Sequence, residues 1–551
     1  MQDYYTKQFY QGKGAAHRRA VYKAMGFTDD DLNRPLVAVI NTFSEVCPGH
    51  MHLQELTQSV KDGVWQAGAT PMEFPTISQC ATQVLGEDGI RYDLPARELV
   101  ALDIETIVKT QLFDGMVVVT TCDKMIPGVF IAAARLDIPT VVVPGGLMEP
   151  GNVGGVEVSL ADLDEKVFSG KIHAMNDEEV AEWEDNVAPG LGACPIMGTA
   201  NSMQCLCEAL GLCLPGSATK VAGTGAQRRL AKHAGNTIVR LIAENRRFSD
   251  IATPAAMRNM VRTAMSIGTA GNPVVHMLAL FHEMGCEAEL NIQTLAELSA
   301  VTPCITDVKP VGRYYLTELE RAGGISAVLG SLQDVLDTQC VGVSGKPLGE
   351  IAKAGLAAYQ KSGSDVIRDK NDPVMEQGGV VVLRGNLARS ALVRMFKHSR
   401  NKFVGRAKVF ESQQEAVRAV KEGEIVTGDV IVLRFMGPRG GPGMPDCFGV
   451  AAAVVGAGLE TDVAIITDGR FSGFARGSGV CQITPEAAVG GALAKIWDGD
   501  EIVIDTIAGL LQNNAPGFDE RDPAPAPERG EKGILRIYAT IAGQADTGAR
   551  L

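Results

Sequence analysis

Three continuous apolar runs, at residues 36–41, 116–120 and 140–144, read as strands buried on both faces, as in parallel sheets. Between them, residues 53–67 and 96–110 carry apolar side chains at helical spacing. Strand–helix–strand order predicts an open α/β sheet, whose sites lie beyond the carboxyl ends of its strands. The segments to watch are therefore 44–52, after the first run, and 122–124, after the second. Residues 155–190 are acidic and polar and read as a peripheral helix pair. Helical patterns follow at 200–212, 226–244 and 255–283, the last interrupted by glycine.

A polar stretch at 361–376 has linker composition, after which the texture changes to short strands and turns. Runs at 379–384, 407–411, 428–435, 463–467 and 501–505 predict a β-rich second domain. The expected organisation is an α/β domain over 1–365 and a β-barrel-like domain over 377–551. Residues 513–529, rich in Pro and Asp, read as a loop, and neither internal repeats nor low-complexity tracts occur.

The 551 residues are 46% hydrophobic and 21% charged, too apolar for a disordered chain. A net charge of −14 argues against a general nucleic-acid binder. An anionic small molecule remains compatible, because a metal or local Arg reverses the sign inside a cleft. No apolar run approaches the roughly 18 residues of a membrane helix, and the polar start shows no secretory pattern. The expectation is a cytoplasmic protein without a membrane partner, its twelve cysteines mostly reduced. None of the twelve forms a CxxC pair, so a zinc ribbon, a thioredoxin motif and a ferredoxin-type run are unsupported. A metal centre would have to gather its cysteines from distant loops.

Four stretches could carry chemistry. Cys122-Asp123-Lys124 offers a soft thiolate beside a hard carboxylate, or a plain strand-end turn with a surface ion pair. Residues 192–203 form a Gly-rich turn entering a helix, suited to an anion or a negatively charged cluster. In that helix Cys205, Cys207 and Cys213 read as small core residues. Residues 437–446 are a Gly/Pro loop from which Asp446 could reach a metal, or a long hairpin loop. Ser472, in Arg470-Phe471-Ser472-Gly473, lacks a nearby His and would act as a base only beside cations or a metal. His50 and His52 suit metal ligation or helix capping, whereas His276 and His282 suit packing on a helix.

Together TTCDK, GACPIMGTANSM, GPRGGPGMP and TDGRFSG resemble the dihydroxy-acid dehydratase / 6-phosphogluconate dehydratase family, over about residues 12–545. DLPAREL, LCEALGLCLPG, VFESQ and TPEAAVG add to the resemblance. It implies loss of water from a 2,3-dihydroxy acid to give a 2-keto acid, using an iron–sulfur cluster beside Mg²⁺. It further implies Cys122 and Cys194 as cluster ligands, Asp123 and a carbamylated Lys124 as magnesium ligands, and Ser472 as the base. Asp446 stands where the family usually has Glu, and Glu87 resembles the Glu ligand of sugar-acid dehydratases. The resemblance also implies a dimer or dimer of dimers, with Ser472 delivered across the domain interface.

Three departures bear on the cofactor and substrate. The family's third cysteine corresponds to Gly49, and Cys47 is expected to take its place in a 2Fe-2S cluster, favoured over 4Fe-4S. The family's Gly-Gly-Ser-Thr-Asn loop reads Gly268-Thr269-Ala270-Gly271-Asn272. The acidic positions of the branched-chain enzymes find no match around Cys80-Ala81. The expected substrate is accordingly a sugar acid such as an aldonate, or glycerate. The alternative is 2,3-dihydroxyisovalerate of branched-chain amino-acid biosynthesis, which a pocket with an apolar lining would favour. A non-catalytic iron–sulfur sensor is the reading from a different class, and it predicts a degraded magnesium site.

Overall fold

A computed structural model describes residues 5–397, 400–471 and 478–551. Four strands, β1 (Leu36–Asn41), β2 (Thr70–Pro75), β3 (Gly115–Thr120) and β4 (Thr140–Pro144), form a parallel sheet in the order β2-β1-β3-β4. Every residue of β1, β3 and β4 is buried, which is why these strands read as unbroken apolar runs. The chain winds outward in one direction from β1 to β2 and in the other from β3 to β4. The carboxyl ends of β1 and β3 therefore flank the point where strand order reverses, the usual ligand crevice of such sheets.

The helix Leu53–Gln66 returns β1 to β2 and packs against Gly225–Ala243. Their crossing is close because it is made by glycine: a Cβ on Gly63 would stand 2.0 Å from the Lys232 carbonyl oxygen. Gly235 answers from the other helix, where a Cβ would meet the Val60 carbonyl at 2.2 Å. Gly63→Ala is expected to lower stability by about 1–3 kcal/mol, since the helices must separate. Urea unfolding monitored by circular dichroism checks this; an unchanged midpoint would contradict it.

A small hairpin, β5 (Gly151–Val153) and β6 (Val156–Val158), precedes the helices Leu160–Phe168 and Asp177–Asn186. The pattern at 255–283 resolves into two helices, Pro254–Ser266 and Asn272–Glu283, broken around Gly268 and Gly271. Residues 284–362 hold four more helices, ending with Leu348–Ser362.

The C-terminal part is a closed eight-stranded barrel. Its strands are β7 (Val380–Gly385), β8 (Ala388–Arg394), β9 (Lys402–Phe410), β10 (Asp429–Leu433), β11 (Ala464–Thr467), β12 (Ser478–Thr484), β13 (Glu501–Asp505) and β14 (Leu510–Asn513). They close in the order β10-β11-β12-β8-β7-β14-β13-β9, leaving no free edge. The expected α/β class, an open parallel sheet with a barrel-like partner, is what the structure has. Buried arginines join the two parts: Arg97 donates to the Gly548 carbonyl at 2.9 Å, and Arg394 to those of Met197 and Gly268 at 2.9 and 2.8 Å. Gly443, with φ +90°, lies so close to the Arg91 carbonyl that a Cβ would overlap it at 1.8 Å. Among the described residues no helix is long and apolar enough to cross a membrane.

Candidate active site

Beyond β3 the backbone turns through Cys122 at φ +64°, a left-handed conformation a non-glycine residue adopts only under constraint. This aims its sulfur at the loop that follows β1. There Cys47, buried, closes a tight turn in which the His50 and Met51 amides donate to its carbonyl. The two sulfurs stand 3.7 Å apart. Two thiolates on one tetrahedral ion at a metal–sulfur distance of about 2.3 Å would stand about 3.8 Å apart. A Cβ added at Gly49 would sit 3.1 Å from the Cys122 sulfur and 3.5 Å from that of Cys47. Cys47 thus fills space toward which a side chain at 49 would point.

Cys194 and Cys80 complete the thiol lining. Cys194 lies in the turn before the helix Thr199–Leu210, and Asn201 donates to its carbonyl and, at 2.8 Å, to that of Ile196. Cys80 precedes the short 3₁₀ turn Ala81–Val84 and faces the same cavity. All four cysteines open on one cavity of about 120 Å³, shared with Asp123 and Asp446. A single water needs roughly 10–15 Å³ by a comparable measure, so this space suits a multi-atom group. Hydrogen bonding to Cys122 pushes the Cys47 thiol up to about 12, and burial does the same for Cys194. A bound metal would displace those protons, and the donors are the soft sulfurs an iron–sulfur cluster takes.

His50 stands behind this wall and does not line the cavity. One of its ring nitrogens lies within 4.8 Å of both the Cys47 and Cys122 sulfurs. Nδ1 meets the Thr42 carbonyl at 2.7 Å and, since a carbonyl only accepts, carries the proton. Burial lowers the ring to about 4, so it is neutral near pH 7, and among the described residues Nε2, also buried, has no hydrogen-bond partner. His52 precedes the helix Leu53–Gln66 but does not cap it; its ring bonds the Gly145 carbonyl at 2.6 Å.

The oxygen donors rest on a buried charge network. Lys124, fully buried, puts Nζ 2.5 Å from Asp123 and 2.8 Å from Asp93. Arg470, equally buried, reaches the same Asp93 oxygen at 2.9 Å, while Gln79 donates to the other at 2.7 Å. Burial alone would raise Asp93, yet Lys124 and Arg470 outweigh it and hold the carboxyl down to about 2. Asp123 is raised by burial and by Asp93 beside it. Asp446 enters from the barrel side, its backbone paired with that of Arg470 and its carboxylate accepting from the Phe448 amide at 3.0 Å.

Of the residues singled out from sequence, Cys47, Cys122, Cys194, Asp123 and Asp446 meet at this cavity, with Lys124 directly behind Asp123. Glu87 is exposed and does not line it. Ser472 lies outside the described residues; Arg470, two positions earlier, is in the site. Sequence reasoning missed Cys80, Asp93 and Arg470. The last two lie inside DLPAREL and TDGRFSG, which served as family markers with no role attached.

The sequence pattern of the dihydroxy-acid/6-phosphogluconate dehydratase N-terminal domain matches residues 34–351, and that of the C-terminal domain matches 365–549. The chain belongs to this dehydratase family. It is 40% identical to a dihydroxy-acid dehydratase of Ruminiclostridium cellulolyticum, over 98% of this chain and 99% of that one. Dihydroxy-acid dehydratases of Pyrococcus abyssi and Syntrophobacter fumaroxidans are 39% and 41% identical, each over 98% of both chains. As a family member the chain is a hydro-lyase, and the support is for dehydration of dihydroxy acids. The sugar-acid expectation is the weaker one: these relatives bear the name of the alternative. The remaining lining of the cavity agrees with that correction. Leu85, Met148, Leu160 and Ile196 make it apolar, and among the described lining residues there is no lysine, arginine or histidine.

Proposed function

We propose that this dehydratase converts a short branched 2,3-dihydroxy acid of the 2,3-dihydroxyisovalerate type into the corresponding 2-keto acid. The apolar cavity lining carries this reading. An aldonate bears a hydroxyl on each chain carbon, and every one buried without a partner costs about 1–3 kcal/mol. Among the described lining residues, Asn201, Asn272, Thr82 and Thr199 are the neutral amide and hydroxyl side chains. A branched acid asks less of this wall, since its methyl groups gain from contact with Leu85, Met148, Leu160 and Ile196.

Cys122, Cys194 and Cys47 would hold an iron–sulfur cluster of 2Fe-2S type, and Asp123 and Asp446 a Mg²⁺, together supplying Lewis acidity at the 3-hydroxyl and positive charge at the carboxylate. Two carboxylates suit Mg²⁺, which keeps waters and substrate oxygens as its other ligands. Lys124 would join them only as a carbamate, exchanging an ammonium for an anion and leaving Arg470 to balance Asp93. Ser472, as its alkoxide beside these cations, would take the proton from C2 while C3 loses hydroxide, and would pass that proton to the hydroxide. The enol so formed tautomerises to the keto acid, and the hydroxide leaves as water once protonated.

The test is 2-keto acid formation by anaerobically prepared protein with Mg²⁺. Substrates are 2,3-dihydroxyisovalerate, glycerate and an aldonate, each compared by kcat/KM. The branched acid is expected to lead by about 10–100-fold, the discrimination one or two apolar contacts supply. A preference for the aldonate would restore the sugar-acid reading.

A further inference from the structure

We propose that Cys80 is a fourth sulfur ligand of the cluster, closing at rest the iron that Cys47, Cys122 and Cys194 leave open. The inference rests on the cluster assigned above and extends it to a residue with no role there. Its ground is position. Cys80 is on the cavity wall with the other three thiols, whereas His50, the other soft donor nearby, is not.

Local structure points the same way. The Cys80 sulfur faces the same cavity as that of Cys47. Cys205, Cys207 and Cys213 provide the contrast: all are buried in or beside the helix Thr199–Leu210 and none lines this cavity.

The anchoring of the four also differs. Cys122 is fixed by β3 and its left-handed turn, and Cys194 by Asn201 and the helix it precedes. Cys80 lies between the end of β2 at Pro75 and the turn Ala81–Val84, in neither strand nor helix, and is half-buried. It is the ligand best placed to swing away when substrate enters. Binding exchanges its S–H proton for an Fe–S bond, and release returns a proton to the sulfur, with no net oxidation in either direction. Next to Cys80 the wall has Ala81, so a soft donor stands on this stretch of the lining.

The experiment reconstitutes wild type, Cys80→Ala and Cys80→Ser without oxygen. It then measures iron and sulfide content, visible absorption, the EPR spectrum of the reduced cluster and the rate of bleaching in air. Cys80→Ala is expected to keep its iron but bleach about ten-fold faster, because one iron now faces solvent. Cys80→Ser should shift both spectra, as that iron loses its sulfur ligand. Spectra and bleaching rates in both variants that superimpose on wild type would overturn the proposal while leaving the dehydratase reading intact. Wild type that takes up no iron would overturn both. Altered spectra in a protein that dehydrates no dihydroxy acid would uphold the ligand and sink the substrate reading.

Discussion

Cys122→Ser is expected to strip most of the iron from the protein and lower dihydroxy-acid dehydration by at least about 100-fold. The sulfur of Cys122 is set by a strained backbone turn at φ +64° and shares a 3.7 Å edge with that of Cys47. A serine oxygen is harder, and its shorter bond to Cβ stops it short of the ion. The fold should survive, because the change removes no apolar contact larger than one sulfur. Iron analysis, circular dichroism and turnover on one preparation separate the outcomes. A folded variant with full iron and full activity would remove Cys122 from the site.

The second large effect concerns stability. Asp93 is the shared counter-ion of two fully buried cations, Lys124 and Arg470. Asp93→Asn leaves both fully buried cations with less compensation, and should cost about 3–5 kcal/mol. Urea unfolding of the metal-free protein near pH 7 checks the magnitude. The pH dependence gives a second check. The carboxyl is held down to about 2 in the fold, against about 3.9 when unfolded. Its contribution is therefore complete above about pH 4 and fades as pH falls toward 2. The gap between wild type and variant should narrow over that window; a gap that widens on acidification would contradict the assignment.

Much of the fold was legible because burial on both faces leaves a simple trace. β1, β3 and β4 stand where the apolar runs put them, within a residue. β2 was not legible: Thr70–Pro75 carries two prolines and a glutamate and lies at the sheet edge, where half its residues reach solvent. In the barrel, β8 mixes Arg389, Ser390 and Arg394 with a short apolar run, and β14 is four residues long. Barrel closure depends on long-range pairing, which no local window records. The expected loop at 513–529 holds only the brief 3₁₀ turn Phe518–Glu520.

The site was legible where chemistry sits in a compact motif. Cys122, Asp123 and Lys124 are consecutive, and their convergence with Cys47 follows from the reversal of strand order between β1 and β3. Asp93 escaped because its importance is a matter of charge balance with Lys124 and Arg470, 31 and 377 positions away. Cys80 escaped because the wall it shares with Cys194 exists only after folding. Glu87 illustrates the reverse failure. A carboxylate next to a glycine matched a motif, yet the turn that carries it faces solvent.

The most direct test of the whole account is Mössbauer spectroscopy of ⁵⁷Fe-reconstituted protein before and after adding 2,3-dihydroxyisovalerate. The account predicts two cluster irons per chain, one of whose signals changes when the acid binds. Iron that is absent, or a spectrum that saturating substrate leaves untouched, would contradict it.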